Sequence, residues 1–254
     1  YAVYLPQSGT TTISGGKVYG AAGGVCIQRG TLNVEGTALI TSKGTGSTGN
    51  WGDGTGGLDC AAINVSGAYG IATVNIKGGT LIAEAKSLIT EGTTYTPVIN
   101  VTGGTFSDPS ALKYMATNAT VDIKLLSNIN IAKTELATGY ILNAANATAN
   151  LNLNGHDIIN SSETADATPF TQIFTVQNGT LNISGNGNVK CDASATAKDD
   201  GYRMVIEARG YGTVNIHGGS YYNTQKLNTQ IDLIYARENG KINIYGGTFE
   251  SGKY

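Results

Sequence analysis

The sequence predicts an all-β fold, a parallel right-handed β-helix solenoid with about three short strands in each coil. Two observations predict this fold: a five-residue phrase that recurs along the chain, and an unusual glycine content. Glycine supplies 36 of the 254 residues, about twice its usual share of roughly 7%. Short strands that repeat between glycine turns are typical of stacked coils, in which neighbours bury an apolar face that no single coil can bury.

The recurring phrase is an apolar residue, asparagine, an apolar residue, any residue and glycine. It occupies residues 32–36, 74–78, 99–103, 151–155, 181–185, 214–218 and 242–246, with a degenerate first copy at 11–15. The alternation predicts a strand with the apolar pair inward and asparagine outward. Asparagine is a poor strand former, so its recurrence indicates a ladder of stacked amides. The predicted ladder contains Asn33, Asn75, Asn100, Asn152, Asn182, Asn215 and Asn243.

Each copy of the phrase has an apolar strand on either side. The upstream strands include residues 25–27, 63–65, 174–176, 204–206 and 233–235. The downstream strands follow the glycines and predict an inner ladder of Val18, Leu81, Phe106, Tyr221 and Phe249. Equivalent strands are expected to pair at a spacing of about 4.8 Å.

A helical stretch near 109–117 interrupts the repeats. Ser107 or Asp108 can cap its first turn, and Pro109 suits the first helical position. We therefore expect residues 1–108 to end a first solenoid and residues 109–120 to form a short cap or connector. Residues 121–254 are then a second β-helix segment, which we expect to continue beyond the last residue.

Composition argues against several classes of function. The formal net charge is −2 and charged residues are 13% of the chain, against about 25% in ordinary domains. Neither nucleic acid binding nor membrane insertion is expected, since no run approaches the roughly 20 apolar residues of a membrane helix. The three cysteines form no metal motif, and buried thiols are favoured over a Cys26–Cys60 bridge. We expect no metal and no cofactor.

Two stretches carry a resemblance to a known group of proteins. Gly-Gly-Thr-Phe-Ser-Asp-Pro-Ser-Ala at 103–111 leads into Ala-Thr-Val-Asp-Ile-Lys-Leu-Leu at 119–126. With Leu-Asn-Leu-Asn-Gly-His at 151–156, it resembles β-helical surface proteins of gut bacteria and fibre proteins of their phages. The stretch at 151–156 resembles the Leu-Asp-Leu-Asn-Gly-His signature that opens many such solenoids. Asn152 stands where that signature has an acid, so no role of the acid carries over. The resemblance implies an extracellular setting on a virion or a cell surface. It also implies partners: a homotrimer of this chain, other virion or surface proteins, or surface polysaccharide.

Few residues are candidates for contact or chemistry. The densest group of charged residues is Glu207, Arg209, Arg237 and Glu238. We expect these residues to form solvated ion pairs in preference to a binding or catalytic site. Trp51 and Asp53 lie in a glycine-rich loop, where Trp51 either offers a platform to a sugar or neighbouring subunit or folds back on the flank. Tyr245 precedes a glycine pair at the position of His217 and should point outward as a glycan or partner contact. His156 and His217 are expected to be structural.

These observations favour a non-catalytic structural or adhesive module of a phage fibre or a capsid-decorating virion protein, in contact with host-surface glycans. A bacterial cell-surface adhesin is the first alternative. A polysaccharide lyase or hydrolase is the second, although the carboxylates are scattered where such chemistry needs them clustered. An ice-binding protein is a remote alternative, because Thr31, Thr73, Thr180 and Thr213 form a regular outward array. Lys241 in the same column argues against it.

Overall fold

The computed structural model describes residues 1–44, 60–84, 86–90, 94–131, 139–160, 170–191, 202–223 and 232–251. Of these residues, 59% lie in strands and 3% are helical. Every strand pair whose register is described is parallel. The all-β class and the parallel pairing predicted from the sequence are thereby confirmed. The chain forms two compact units, Tyr1–Ile123 and Lys124–Tyr254.

The first unit is built from three parallel sheets. Its strands β1–β13 are Val3–Leu5, Thr10–Ile13, Lys17–Gly20, Val25–Ile27, Gly30–Val34, Leu39–Ser42, Ala61–Val65, Ala72–Ile76, Thr80–Ala83, Lys86–Thr90, Val98–Val101, Thr105–Phe106 and Thr120–Lys124, the last residue of which begins the second unit. The sheets run β1-β4-β7-β10, β2-β5-β8-β11 and β3-β6-β9-β12-β13. From β1 to β12, three consecutive strands therefore lie in the three sheets in turn, and the next strand returns to the first sheet.

The second unit repeats this order with some strands fused. Its strands β14–β24 are Ile129–Ile131, Tyr140–Asn152, Ile158–Asn160, Phe170–Ser184, Asn188–Cys191, Tyr202–Ala208, Thr213–Ile216, Ser220–Asn223, Ile234–Ala236, Lys241–Ile244 and Thr248–Ser251. One sheet runs β14-β16-β18-β21-β24. Strand β17 pairs β15 on one side, and on the other pairs β19 and then β20. Gly179, at φ +84°, stands between those two pairings, and a Cβ there would lie 2.6 Å from the Ala144 carbonyl oxygen.

The alternating strands bury one side and expose the other, as their period of two requires. In β20 the side chains of Val214 and Ile216 are fully buried, whereas those of Thr213 and Asn215 are half-buried. The same alternation holds in β5 and β8. The apolar residues of the recurring phrase therefore form the core.

The single inner ladder predicted from the sequence is two separate columns of side chains, one in each unit. Val18, Leu81 and Phe106 are in the first unit, where Ile40 stands between Val18 and Leu81. Tyr221 and Phe249 are in the second unit, with ring centroids 5.0 Å apart and planes 8° apart.

A second group of strands is buried on both sides. In β4, β7 and β19 no described side chain is exposed, so that Asn64 in β7 and Glu207 in β19 are buried although they alternate with apolar neighbours. These strands have near-continuous apolar sequences, the pattern of a strand covered on both faces. A side chain on the outward side of these strands is therefore still buried.

The helix is a 3₁₀ helix at Pro109–Tyr114 within the first unit. Asp108 caps it, since Asp108 Oδ1 accepts from Ser110 N at 2.8 Å and Oδ2 accepts from Ser87 N. The sequence predicted a helix near 109–117 with Ser107 or Asp108 as its cap. The observed helix ends earlier because Met115 returns to extended backbone and bridges Val101.

The three cysteines are buried thiols and form no disulfide. Cys26 lies opposite Asn64 in the paired strands, not opposite Cys60. The Cys26–Cys60 bridge left open by the sequence is not formed.

Matched substitutions at Ile216 and Ile244 test the stacking. The two residues are register partners, but Ile216 is 0% exposed and Ile244 is 54% exposed. We expect Ile216→Ala to lower the free energy of unfolding by about 2–5 kcal/mol, the usual cost of emptying a core site, and Ile244→Ala to cost less than half as much. Urea unfolding of both variants measures this. Equal costs would contradict the burial difference between the two rungs.

Tyr221 predicts a loss of stability at alkaline pH. Burial raises the pKa of its hydroxyl, which donates to the Gly218 carbonyl at 2.9 Å. Below pH about 10 the phenol is protonated in both states. Above it the unfolded chain loses this proton first, so stability falls as pH rises. Urea midpoints between pH 8 and 11 should fall less steeply in Tyr221→Phe than in the wild type or in the control Tyr211→Phe. Identical slopes would rule this out.

Candidate functional site

A ladder of asparagine amides lies along the outward face of the first unit. Asn75 Nδ2 donates to Asn33 Oδ1, and Asn100 Nδ2 donates to Asn75 Oδ1, both at 3.0 Å. At the first rung, Asn33 Nδ2 donates to Thr12 Oγ1 at 3.4 Å. These side chains lie on β2, β5, β8 and β11, whose registers place the four residues opposite one another. Asn33 and Asn75 each donate to the preceding rung and accept from the following one.

The second unit carries a ladder of the same polarity. The Nδ2 groups of Asn182, Asn215 and Asn243 donate to the Oδ1 of the preceding rung, each at 2.8 Å. The rung before Asn182 is Asn150, so the assignment of Asn152 from sequence is wrong. Asn152 lies opposite Ser184, and its Oδ1 accepts from Asn154 N at 2.8 Å.

A sequence signal for Asn150 existed but was obscured. Thr148-Ala-Asn150 matches Thr180-Leu-Asn182 and pairs with it residue for residue. The inward residue of this copy is Ala149, whereas the phrase at 151–155 offers leucine at both apolar positions. The stronger hydrophobic match therefore lay two residues from the true register. A shift of two residues leaves the inward and outward faces unchanged, so alternation could not reveal the error.

The charged cluster of Glu207, Arg237 and Glu238 is an ion-paired network. Arg237 Nε donates to Glu207 Oε1 at 2.7 Å, and Arg237 Nη1 donates to Glu238 Oε1 at 3.0 Å. Glu207 is 2% exposed, and its Oε2 accepts from Thr175 Oγ1 at 3.5 Å. The hydrogen bond to Glu207 raises the pKa of Arg237. The buried carboxylate is thus held by a cation and is not exposed to a substrate.

Glu238 has a role that sequence reasoning missed. It adopts φ +59°, a conformation that few residues other than glycine accept. Its Oε2 accepts from Gly210 N at 2.9 Å, so the carboxylate ties its own turn to the equivalent turn of the preceding strands. The signal that could have indicated this is Glu-Asn-Gly at 238–240, a sequence typical of a turn.

Arg209 occupies the position in line with Arg237, one residue after the paired Ala208 and Ala236. The Arg237 N–H donates to the Ala208 carbonyl, and the Arg209 N–H donates to the Val176 carbonyl. The Arg209 guanidinium faces the Gln177 side chain, and an amide oriented with its oxygen toward the guanidinium satisfies both groups. Arg209 therefore packs on the rung before it, whereas Arg237 binds the buried acid.

Tyr245 is one member of an exposed aromatic pair. Its ring stacks on His217, with centroids 4.8 Å apart and planes 8° apart. Tyr245 is 67% exposed. Both residues follow register-paired isoleucines, Ile216 and Ile244, and precede a glycine pair. Another exposed tyrosine, Tyr211 at 75% exposure, was not identified from sequence.

The outward threonines form columns that are interrupted. In the first unit Thr10, Thr31 and Thr73 lie opposite one another, and the next strand carries Val98. In the second unit Thr148, Thr180 and Thr213 are followed by Lys241. Neither column is a continuous threonine array.

Trp51 and Asp53, the predicted loop contacts, lie outside the described residues. Within the described ranges, no three His, Cys, Asp or Glu side chains are grouped so that they could hold a metal ion. No helix in the part of the chain that the structure describes is long and apolar enough to cross a membrane.

Comparison with known proteins gives no relative: no family model, no curated protein and no solved structure matches the chain.

The ion pair predicts that substitution of Arg237 lowers the free energy of unfolding more than substitution of Arg209 does. Arg237→Gln leaves the buried Glu207 carboxylate without its charged partner, and we expect a loss of about 1–3 kcal/mol in the free energy of unfolding. The matched control, Arg209→Gln, lies one rung away and should stay within about 0.5 kcal/mol. Adding Glu207→Gln to Arg237→Gln should reveal a coupling of about 0.5–3 kcal/mol by chemical denaturation. Additive effects would show that the pair contributes nothing.

Proposed function

We propose that this chain is a non-catalytic structural and adhesive module built as a parallel right-handed β-helix. In this proposal the three-strand runs of each unit are successive coils. The chain belongs to a phage fibre or a capsid-decorating virion protein, and it contacts host-surface glycans. A bacterial cell-surface adhesin, the alternative, needs the same scaffold. Partners are a homotrimer of the chain or other virion or surface proteins, together with surface polysaccharide.

The observation that carries the proposal is the pairing of equivalent residues in strands that lie three apart along the chain. Leu32 pairs with Val74, and Val214 pairs with Ile242, each with the asparagine one residue on in line. Such pairing fills the interior with branched and aromatic side chains and covers the outward face with neutral amides and hydroxyls. A solid core with a repetitive neutral surface suits a scaffold, whereas catalysis requires a concave pocket with convergent polar groups.

The charged cluster supports a structural role over hydrolysis. Glycoside hydrolysis uses two carboxyl groups that face the scissile bond, one as acid and one as base or nucleophile. Glu207 is buried and bound to Arg237, and Glu238 accepts from the Gly210 backbone. Both carboxylates have roles within the fold.

The aromatic pair supports an adhesive role. A flat, exposed tyrosine ring backed by a parallel histidine ring presents an apolar face beside polar groups, the combination that is favoured at interfaces with one apolar and one wet side. A sugar ring stacks on such a face through its C–H groups. Tyr245 is thus the residue proposed to contact the glycan.

A panel of immobilised bacterial surface polysaccharides tests both parts of the proposal. We expect the labelled chain to be retained on at least one polysaccharide without releasing reducing or unsaturated sugar. Tyr245→Ala should weaken retention about two- to tenfold, the range that one aromatic contact contributes. Tyr211→Ala, which removes an equally exposed ring, is the matched control.

Release of sugar from any member of the panel would overturn the non-catalytic assignment. Retention that Tyr211→Ala and Tyr245→Ala reduce equally would overturn the role of the stacked pair.

A further inference from the structure

Four asparagines of the chain stand directly before a glycine, at 154–155, 178–179, 186–187 and 239–240. All four pairs lie within the described residues. An Asn-Gly pair can react with itself, because glycine has no Cβ to keep its nitrogen away from the amide carbon of the preceding side chain. The attack requires an N–H free of a hydrogen bond and a side chain free to turn toward it. The hydrogen bonds at each pair therefore determine which pair reacts.

The pair Asn154-Gly155 is held by three hydrogen bonds. The Asn154 N–H donates to Asn152 Oδ1, and Asn154 Nδ2 donates to the Leu125 carbonyl, both at 2.8 Å. The Gly155 N–H donates to the Asn186 carbonyl. Attack of the Gly155 nitrogen on the Asn154 side chain would have to break the last two of these bonds. The reaction is therefore disfavoured at this pair.

Two further pairs are each held by a hydrogen bond at one of the reacting groups. Asn178 Nδ2 donates to Asn143 Oδ1 at 2.6 Å, so the side chain that would be attacked is fixed. The Gly240 N–H donates to the Arg237 carbonyl at 3.0 Å, so the nitrogen that would attack is occupied. Each pair would have to lose at least one hydrogen bond before it could react.

At Asn186-Gly187 both reacting groups are free. Asn186 is exposed, its side chain forms no hydrogen bond with a described residue, and the Gly187 N–H donates to none of them. The two carbonyls are engaged, since the Asn186 carbonyl accepts from the Gly155 N–H and the Gly187 carbonyl accepts from the Ser220 N–H. These bonds hold the turn on both sides and leave the side-chain amide and the Gly187 nitrogen unoccupied.

The turn that carries Asn186 joins β17 to β18 and lies between two equivalent turns of the second unit. Its glycines at 185 and 187 have φ of +83° and +151°. A Cβ at Gly187 would meet the His156 carbonyl oxygen of the preceding turn, and one at Gly218 of the following turn would lie 3.1 Å from the Gly185 carbonyl oxygen. Packing thus requires a glycine after Asn186, and the exposure of Asn186 does not depend on either end of the chain.

We propose that Asn186 is a modification site that deamidates spontaneously, ahead of the other three Asn-Gly pairs. The Gly187 nitrogen forms a bond to Asn186 Cγ, the Cγ–Nδ2 bond breaks, and the side-chain nitrogen leaves as ammonia with the Gly187 amide proton. The product is a cyclic succinimide. Water then adds to one of its two carbonyls and opens the ring, which leaves either aspartate or isoaspartate at position 186. Water is the only other reactant, and nothing is oxidised or reduced.

Deamidation changes both the charge and the backbone of this turn. Either product carries a carboxylate, so the formal net charge, −2 in the unreacted chain, becomes more negative by one. In isoaspartate the chain also runs through Cγ, which lengthens the turn by one carbon atom. The site thus introduces a charge at a turn between two strands whose own residues stay unchanged. This inference does not depend on the proposed adhesive role.

Peptide mass spectrometry of the folded chain after incubation in heavy-oxygen water measures the four reactions side by side. Hydrolysis of each succinimide places a heavy oxygen in the product, so the label reports which pair has reacted. Asn186 should be labelled about two- to tenfold faster than Asn178 or Asn239, the factor that one hydrogen bond contributes. Asn154, whose pair must lose two hydrogen bonds, should be slower still.

Two controls separate the effect of the structure from that of the sequence. In guanidinium chloride the four rates should become similar, since glycine follows the asparagine in every pair. In the folded chain, Asn186→Gln should delay the acidic form that ion exchange detects, because glutamine would need a larger ring to react in the same way. Asn178→Gln, the matched variant at a protected pair, should leave the appearance of the acidic form unchanged.

Three results would each overturn the proposal. One is a folded chain in which another Asn-Gly pair is labelled as fast as Asn186. Another is the same ratio of rates in guanidinium chloride as in the folded chain, which would show that the turn has no influence. The third is an acidic form that accumulates as quickly in Asn186→Gln as in the wild type.

Discussion

Parallel pairing in constant register places each residue between its equivalents in the neighbouring strands. Apolar residues then contact apolar residues, and an amide meets an amide, because the backbone hydrogen bonds allow no other neighbour. Asn33, Asn75 and Asn100 illustrate the consequence, since each Nδ2 has an Oδ1 at hydrogen-bond distance in the preceding strand. A residue with poor intrinsic strand propensity is thereby compensated by its neighbours. The repeated sequence, the core and the outward surface all depend on this register.

The turns between strands determine which side chains point away from the core. At four copies of the recurring phrase, 74–78, 99–103, 214–218 and 242–246, the chain turns through a glycine pair, and the second glycine has positive φ, as in Gly219 at +88°. A Cβ at Gly219 would lie 2.8 Å from Leu153 Cδ1, so a side chain would enter the core. The residue just before the pair is held outward at the end of its strand. His217 and Tyr245 stack at that position, so the same turn that closes the core presents the aromatic surface.

Charge is used sparingly and in two different ways. Glu207 and Arg237 form a pair in which the acid is buried and the base is half-exposed, which fixes one strand relative to the next. Lys17 and Glu250 instead remain exposed on the outward faces of their strands.

The all-β class, the parallel pairing and most of the amide ladder could be predicted from local patterns, because a period of two and a repeated phrase are visible along the chain. The rung at Asn150, in place of Asn152, is visible only in the packed strands, since a shift of two residues preserves the faces and changes only the partner. The burial of Glu207 likewise depends on what covers the sheet from outside. Alternation in one strand records the direction of a side chain, whereas register and burial arise from the strands and segments packed against it.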